Sequence, residues 1–139
     1  MVMDTSNSAS PVNRPTTETR CILVVDDEPA MLKAVRRALM DAVRVSSRTG
    51  CSVDVAESAE GALALVLINR YHTVITDYEM PDRNGVWLLE RLKEQCPDTF
   101  RVLHSGSDPS GLGAHIACGV IQRIIPKPAS SGELAKLWG

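Results

Sequence analysis

Hydrophobic and polar positions along the chain alternate between two kinds of pattern. Short apolar runs rich in β-branched residues, which are typical of buried strands, recur at CILVV (21–25), CSVDV (51–55), HTVIT (72–76), FRVLH (100–104) and VIQRII (120–125). Helical patterns separate and follow them, from Pro29 to about Arg44 and at 58–70, 85–95, 109–118 and 130–138. Five strands interleaved with helices predict βαβ units, and therefore an α/β fold with a parallel sheet.

The first helix carries the clearest amphipathic pattern. Its apolar residues follow helical spacing down one side, at Leu32, Val35, Leu39 and Val43. That side is expected to face the sheet. The basic residues elsewhere on the helix are expected to form a solvated face or to help steer an acidic partner.

Two other helices depart from this pattern. The second is apolar nearly all round from Ala62 to Ile68, so either its neighbours cover it or it meets a partner. The fourth contains Gly111 and Gly113, and each glycine costs roughly 1 kcal/mol relative to alanine inside a helix. We therefore expect the fourth helix to be short and broken by glycine.

Length and composition are those of one ordinary domain. The 139 residues can bury a sizeable core but leave no room for a second domain. Residues 1–19 are rich in Ser, Thr, Asn and Pro, which predicts a flexible N-terminal arm ahead of a single domain at 20–139. A net charge of -2 gives no sign of a surface that binds nucleic acid directly.

Targeting and redox features indicate the cytoplasm. The longest apolar run, at 62–68, is too short to cross a bilayer, and the N-terminus lacks a signal-peptide pattern, so no membrane association is expected. The four cysteines are widely separated and form no C-x-x-C pair, which favours reduced thiols. The three histidines show no metal-ligand spacing and are predicted to be ordinary core or surface residues.

Polar residues follow four of the predicted strands at the point where each strand ends. They are Asp26, Asp27 and Glu28 after the first strand, Asp77 after the third, Ser105 and Gly106 after the fourth, and Lys127 after the fifth. Each has an ordinary explanation by itself, since aspartate and serine suit turns, an acidic pair suits a helix N-terminus and a lysine suits solvent. Because the carboxyl ends of parallel strands meet at one edge of a sheet, we expect these side chains to lie close together.

This combination of groups predicts a phosphoryl-transfer site that holds a metal ion. Closely packed carboxylates repel one another unless a cation is present, and Mg²⁺ prefers oxygen ligands, with Mn²⁺ as the alternative ion. An ammonium group at the same edge can neutralise a phosphoryl oxygen, and an aspartate can serve as the nucleophile in aspartyl-phosphate chemistry. Asp77 is therefore the predicted phosphoryl acceptor.

The sequence resembles the receiver domain of bacterial two-component response regulators. The resemblance covers about residues 20–138 and is carried by ILVVDDEP (22–29), DYEMPDRNG (77–85), HSG (104–106) and KP (127–128). Each motif is weak alone, but four in the right order and at similar spacing are specific. The resemblance implies a doubly wound, five-stranded parallel sheet in a flavodoxin-like (CheY-like) three-layer α/β/α fold, in which the fourth helix of this chain is short and the last helix is clipped.

Carried over position by position, the resemblance implies which residues bind the metal ion and accept the phosphoryl group. Asp77 is the phosphoacceptor. Asp26 and Asp27 hold Mg²⁺ directly or through water, and Asp77 and the backbone carbonyl of Glu79 complete the protein ligands.

The resemblance also implies which residues bind the phosphoryl group and respond to it. Lys127 pairs with the acyl phosphate, and the bond between Lys127 and Pro128 is cis. Ser105 is the switch hydroxyl that moves to the phosphoryl group, and Gly106 leaves it room.

Three positions bear on how the switch is tuned. Glu79 lies two residues after the phosphoacceptor, and Ser107 lies two residues after the switch hydroxyl. In the family, the residues at these two positions flank the path of the hydrolytic water. Both are therefore predicted to tune the lifetime of the phosphate. Ile124 stands where the family has an aromatic residue that rotates inward on activation. The family's usual coupling between phosphorylation and rotation of this aromatic residue is therefore not assumed here. Ile124 is nevertheless expected to be able to repack.

The function implied by the resemblance is signalling. A sensor histidine kinase or a phosphotransfer protein donates the phosphoryl group, and phosphorylation changes the affinity for an output domain or downstream protein that the chain does not identify. Such a domain assists its own phosphorylation and dephosphorylation but is not an enzyme that acts on other substrates. We expect no DNA-binding or catalytic output module in these residues, which belong either to a single-domain regulator or to a receiver cut from a longer protein.

Three alternatives to a phosphorylated signalling domain are open. One is a receiver-fold interaction module whose output no longer depends on phosphate, which the isoleucine at position 124 and the short helices favour. Another is a small phosphatase of the haloacid-dehalogenase type, but the second aspartate of that family is replaced by Glu79 and there is no room for a cap domain. A flavodoxin-like FMN carrier is disfavoured because Asp26 and Asp27 would repel the phosphate.

Overall fold

The computed structural model of the chain describes residues 20–46, 51–106 and 109–138, so the predicted arm at 1–19 lies outside the described residues. The strands are β1 Arg20–Val25, β2 Cys51–Ala56, β3 Thr73–Asp77, β4 Phe100–Ser105 and β5 Arg123–Pro126. The helices are α1 Pro29–Ser46, α2 Ala59–Ile68, α3 Gly85–Gln95, α4 Gly113–Ala117 and α5 Ser131–Ala135. A 3-10 turn at Pro109–Leu112 precedes α4, and another at Lys136–Trp138 follows α5.

The strands form one parallel sheet in the order β2-β1-β3-β4-β5. Val25 of β1 pairs with Thr76 of β3, and Asp77 of β3 pairs with His104 of β4. The ends of these three strands therefore lie side by side, at the point where the strand order reverses and where ligand sites gather in such folds. The predicted α/β class with a five-stranded parallel sheet is confirmed.

Apolar side chains build a core on each face of the sheet, because successive residues of a strand point to opposite faces. Leu23 and Leu103 pack with residues of α2 and α3 on one face, whereas Ile22 and Ile75 pack with residues of α1 and α5 on the other. The side of α1 predicted to face the sheet does so, since it buries Leu32, Val35 and Leu39. Helices on both faces complete the doubly wound, three-layer arrangement.

Helix α2 buries only part of its apolar surface. Ala62 and Val66 are buried, whereas Leu67 is 57% exposed and Ile68 is 80% exposed. The neighbouring elements in the described part of the chain thus leave the end of this helix uncovered. None of the described helices combines the length and the apolar character that a membrane-spanning helix needs.

Two predicted elements are shorter than the pattern indicates. The last strand was predicted to start at Val120 but starts at Arg123, because the chain turns at Gly119, with a φ of 85°, and the amide of Ile121 donates to the carbonyl of His115. The fourth helix was predicted over 109–118 but is a 3-10 turn followed by a five-residue α-helix with no buried residue. The expected short fourth and clipped last helices are confirmed.

Asp82 ties the loop after β3 to the start of α2. Its two carboxylate oxygens accept hydrogen bonds from the amides of Ala59 and Glu60, at 3.3 and 3.0 Å. Ser58, the N-cap residue, accepts a further bond from the amide of Gly61 at 3.0 Å. Two side chains from distant parts of the chain therefore satisfy amides that a helix N-terminus leaves free, as caps do elsewhere.

We expect Asp82→Ala to lower the free energy of unfolding by about 1 kcal/mol at pH 7, the usual cost of losing a cap. Burial raises the pKa of Asp82, but hydrogen bonds from the amides of Glu60, Arg83 and Ala59 outweigh it, so the net pKa is lowered below 3.8. A lowered pKa in the folded protein stabilises it above pH 3.8 and loses this contribution as the pH falls. Urea unfolding at pH 7 and near pH 3 should therefore show a smaller difference between variant and parent at the lower pH.

The matched control for Asp82→Ala is Glu94→Ala, which removes an exposed carboxylate from α3. This control should change stability by less than about 0.5 kcal/mol at either pH. If Asp82→Ala lowered the free energy of unfolding equally at both pH values, the ionised Asp82 carboxylate would not be what stabilises the start of α2.

Arg101 of β4 is a buried cation that fastens two loops at the other end of the sheet. Its side chain is 4% exposed and donates five hydrogen bonds to backbone carbonyls. The acceptors are the carbonyls of Pro97, Thr99, Gly119 and Val120, at 2.9 to 3.3 Å. The guanidinium therefore joins the loop before β4 to the loop before β5, and the sequence patterns had not singled it out.

Candidate functional site

Three aspartates meet at the carboxyl edge of the sheet. Asp26 follows β1, Asp77 ends β3 and Asp27 is the next residue after Asp26. One carboxylate oxygen of each lies within 4.8 Å of the others, and Asp26 and Asp77 are 1% and 8% exposed while Asp27 faces solvent. The expectation that these strand ends converge is therefore met in the structure.

Lys127 brings a positive charge to this acidic edge. Its Nζ atom lies 3.0 Å from Asp77 Oδ1 and 3.5 Å from Asp26 Oδ2. The lysine follows β5, whose backbone is held by the bond from the Lys127 amide to the Ser105 carbonyl, at 3.0 Å. The peptide bond between Lys127 and Pro128 is cis.

The pKa values of Asp26 and Lys127 are both raised, for different reasons. Burial is the largest influence on the pKa of Asp26 and raises it; the Glu28 amide and Lys127 oppose this, Asp77 adds to it, and the net pKa is raised. Burial by itself would lower the pKa of Lys127, but the hydrogen bond and charge of Asp77 outweigh it, so that pKa is raised. Lys127 is therefore held in its charged form beside the carboxylates.

One oxygen of Asp26 accepts no hydrogen bond from the described residues. Oδ1 accepts from the Glu28 amide at 2.9 Å, whereas the buried Oδ2 has, among those residues, only the 3.5 Å ion pair with Lys127. Buried carboxylate oxygens are normally satisfied, and an exception of this kind indicates an ion or water that belongs at the position. Three carboxylates with a free oxygen are the hard ligands that Mg²⁺ prefers, so the residues fit that ion.

The backbone after Asp77 is held tightly in place. The Thr76 hydroxyl donates to the Asp77 carbonyl at 3.0 Å, and the Gly85 amide donates to the Tyr78 carbonyl at 2.7 Å. Gly85 begins α3 so close to the strand that a Cβ there would overlap the Asp77 carbonyl oxygen. The glycine is therefore required by space, and Asn84 completes the junction by accepting from the Trp87 amide at 2.9 Å.

A cleft of about 330 Å³ opens over the aspartates. Its lining includes Asp27, Asp77, Glu79, Ser105 and Lys127. Ser105 is 6% exposed and ends β4 next to β3, so its hydroxyl belongs to the same edge as the carboxylates. Carboxylates, an ammonium group and a hydroxyl group thus line one cleft.

The other predicted site residues lie around this cleft. Gly106 lines it, and a Cβ there would meet Lys127 only at 3.7 and 3.9 Å, which is ordinary contact, so space alone does not require that glycine. Glu79 is exposed at the mouth, and Ile124 is half-buried against the core beside Leu103. Ser107, the second predicted tuning residue, lies outside the described residues.

His104 belongs to the same neighbourhood, although its spacing to other residues gave no signal of this. It pairs with Asp77 across β3 and β4, is 2% exposed, and its Nε2 atom has no hydrogen-bond partner in the described part of the chain. Burial, then the nearby charge of Lys127, lowers the pKa of His104 to about 4, with Asp77 opposing. The imidazole is therefore neutral at pH 7 and adds no positive charge to the site.

The arrangement is suited to phosphoryl transfer. Asp77 lines the open cleft with Lys127 beside it, and the three carboxylates can hold a divalent cation. Transfer of a phosphoryl group needs mainly positioning and cations on the phosphoryl oxygens. The geometry holds Asp77 and Lys127 together, and the acidic cluster adds a place for a second cation.

Comparison with known proteins gives consistent matches. The model of the response regulator receiver domain family matches residues 22–138. The chain is 32% identical over 116 residues to the hydrogenase transcriptional regulatory protein HoxA of Bradyrhizobium diazoefficiens and 31% identical over 123 residues to the two-component response regulator ARR18 of Arabidopsis thaliana. These alignments cover 83% and 84% of this chain but 22% and 17% of those proteins, so the chain spans about a fifth of their length.

Solved structures agree in fold. A CheY-like receiver domain protein from Methanospirillum hungatei JF-1 superposes with a TM-score of 0.75 at 22% identity, covering 87% of this chain and 91% of that one. The response regulator TrrA of Thermotoga maritima, crystallised in complex with Mg²⁺ and BeF, superposes with a TM-score of 0.72 at 25% identity, covering 86% and 96%.

Proposed function

The chain belongs to the response regulator receiver domain family, whose members accept a phosphoryl group on an aspartate, and from that premise we propose that Asp77 is the acceptor. The observation that carries this proposal is the position of Lys127 Nζ, 3.0 Å from Asp77 Oδ1, with both residues lining an open cleft. Attack by that oxygen on a phosphoryl donor forms the O–P bond as the bond to the leaving group breaks, and the product is an acyl phosphate.

The other residues of the edge take supporting roles in this proposal. Asp26, Asp27 and Asp77, with the backbone carbonyl of Glu79, would hold Mg²⁺, or Mn²⁺ in its place. The bound ion supplies positive charge that offsets the phosphoryl oxygens. Lys127 would offset part of the same charge, since its raised pKa keeps it protonated.

We further propose that Ser105 is the switch. Once Asp77 carries a phosphoryl group, new acceptor oxygens stand in the cleft that the serine lines. A hydrogen bond from its hydroxyl to one of them would draw in the chain after β4. Gly106, Ile124, Glu79 and Ser107 would tune this response and the lifetime of the phosphate.

The proposed partners are those of a two-component pathway. A sensor histidine kinase or phosphotransfer protein in the cytoplasm would supply the phosphoryl group, and an output domain or downstream protein would read the change. The domain would assist its own phosphorylation and dephosphorylation without acting on other substrates. Neither direct binding to nucleic acid nor attachment to a membrane is part of this proposal.

Asp77→Asn is the direct test of the acceptor. The full chain is incubated with acetyl phosphate and Mg²⁺ and its intact mass is measured, with parallel samples in EDTA. We expect the parent to gain one phosphoryl group, about 80 Da, and the variant to gain none, because an amide is not a nucleophile for this transfer. A gain that persists in Asp77→Asn would place the acceptor at another residue.

A phosphate-independent interaction module is the second candidate function. Ile124 favours it, because the position is half-buried and already packed against the core without an aromatic ring that could rotate. Amide spectra of the chain with and without beryllofluoride and Mg²⁺ distinguish the two functions. Shifts confined to residues that line the cleft would support the module, and shifts that reach α4 and β5 would support the switch.

A further inference from the structure

A second cleft, of about 420 Å³, lies at the opposite edge of the sheet from the aspartates. It is lined by the first residues of four strands, which are Arg20, Thr73, Phe100 and Arg123, and by Lys136 from the turn after α5. Thr73 and Asp77 begin and end the same strand, so at about 3.3 Å per residue the two clefts are about 13 Å apart along β3. This cleft is therefore separate from the phosphoryl-transfer site.

The strand residues of this cleft point to one face of the sheet. Arg20, Thr73, Phe100 and Arg123 each lie two residues before a member of the core under α1 and α5, and side chains two apart in a strand share a face. The register places neighbouring strands side by side, with Thr73 opposite Phe100. Three cationic side chains consequently surround one opening.

Two of these cations have no carboxylate partner among the described residues. Arg20 and Arg123 form no ion pair there, and Lys136 has only a long contact of 3.8 Å to Glu133. The Arg123 guanidinium lies 5.8 Å from the centre of the Phe100 ring, a cation–π contact that holds it at the wall of the cleft. Among the described residues, Arg20 and Arg123 thus carry positive charge that no ion pair neutralises, although the Asp98 carboxylate lines the same cleft.

Neutral hydrogen-bond donors complete the lining. Thr73 is 3% exposed, and no described residue hydrogen-bonds its hydroxyl. His72 accepts the Cys21 amide on Nδ1 at 3.1 Å, so the neutral ring carries its proton on Nε2. The Thr73 hydroxyl and the His72 Nε2–H are therefore the neutral donors that a ligand in the cleft would meet.

We propose that this cleft, defined by Arg20, Thr73 and Arg123, binds a small anion that carries phosphate or carboxylate groups. Guanidinium groups bind both kinds of anion through paired hydrogen bonds, and the hydroxyl and imidazole supply further donors. The volume is within the range of small-ligand pockets. The bound anion would tie the start of β1 to the start of β5 and to the turn after α5.

Asp98 allows a test in which a substitution should strengthen binding instead of weakening it. Its carboxylate is exposed and lines the same cleft, where it would repel an anion. Asp98→Asn should therefore tighten binding about threefold, whereas Arg123→Gln should weaken it about tenfold or more and Thr73→Val about threefold. If anions only collected non-specifically on a basic surface, their affinity would follow the net charge of the protein, and Thr73→Val would leave it unchanged.

The experiment is calorimetric titration of the full chain with pyrophosphate, inorganic phosphate and citrate, in buffers of matched ionic strength without Mg²⁺. The matched control is Lys33→Gln, which removes a cation from the exposed side of α1 and outside this cleft. We expect saturable binding with one site per chain, unchanged in Lys33→Gln and altered as stated in the other three variants.

The comparison of the three probes separates the ligand classes. Preference for the two phosphates would assign a phosphorylated ligand, and preference for citrate a carboxylate. Non-saturable heats, or losses as large in Lys33→Gln as in Arg123→Gln, would overturn the proposal. Because Asp77 takes no part in this titration, the result is independent of whether the chain accepts a phosphoryl group.

Discussion

Gly85→Ala is expected to lower the free energy of unfolding by about 2 kcal/mol and to slow phosphorylation of Asp77 at least tenfold. A Cβ at this position would overlap the Asp77 carbonyl oxygen and would stand 3.1 Å from Leu103 Cδ1. Overpacking a well-packed region costs about 1 to 3 kcal/mol, because side chains and backbone must shift. Here the obstructing atom belongs to the backbone, so the shift would move the acceptor itself.

The effect on phosphorylation follows from what the same backbone carries. The peptide after Asp77 is bonded by the Thr76 hydroxyl, and it leads to Glu79, whose carbonyl is a proposed ligand of the metal ion. Displacing it would alter the direction of the Asp77 carboxylate relative to Lys127. Small misplacements of a reacting group can cost orders of magnitude in rate.

The measurement pairs urea unfolding with the time course of mass gain from acetyl phosphate. Gly113→Ala is the matched control, because a Cβ there meets no atom of the described residues within 4 Å, and alanine should leave both quantities unchanged or raise stability slightly. If Gly85→Ala folds and is phosphorylated at the parental rate, the backbone contact does not position the acceptor.

Arg101→Met is expected to lower the free energy of unfolding by about 3 kcal/mol or more. The substitution keeps an unbranched apolar stem but removes five hydrogen bonds and leaves carbonyls of two loops without their donor. Hydrogen bonds from a charged donor contribute about 1.5 to 3 kcal/mol, and a buried acceptor left unpaired costs about 1 to 3 kcal/mol. Burial lowers the pKa of Arg101, and the carbonyls offset the cost of burying its charge.

Denaturant unfolding followed by circular dichroism measures this loss. Arg101→Lys should fall between parent and Arg101→Met, since an ammonium group cannot reach both loops at once. Arg37→Met, on the exposed face of α1, is the control and should change stability by less than about 0.5 kcal/mol. If Arg101→Met lowered the free energy of unfolding by less than about 1 kcal/mol, Arg101 would not be what holds the two loops together.

Much of the fold could be predicted because its signals are local. The five apolar runs and the amphipathic pattern of α1 depend on residues a few positions apart, which is the range over which strand and helix periods act. Predicted boundaries failed where a distant contact decided them. Val120 and Ile121 read as the start of a strand, but they bury in the core beyond the turn at Gly119 instead of pairing with β4.

The candidate site was predictable for a related reason. Parallel strands place their carboxyl ends at one edge, so Asp26, Asp77, Ser105 and Lys127 could be expected together once the strands were recognised. The same argument could not predict the parts played by His104 and Thr76. His104 lies beside Asp77 through strand pairing, and Thr76 acts through a hydrogen bond from its hydroxyl to the backbone.

By itself, then, the sequence determined the class of fold, the edge at which the candidate site lies and the residue types that gather there. Only the tertiary structure decided the contacts that depend on register and on how helices cross the sheet. These include the clasp from Asp82 to a helix 22 residues away, the carbonyls around Arg101 and the cationic cleft near Thr73. Such contacts join residues with no shared local period, because the path of the whole backbone sets which distant side chains meet.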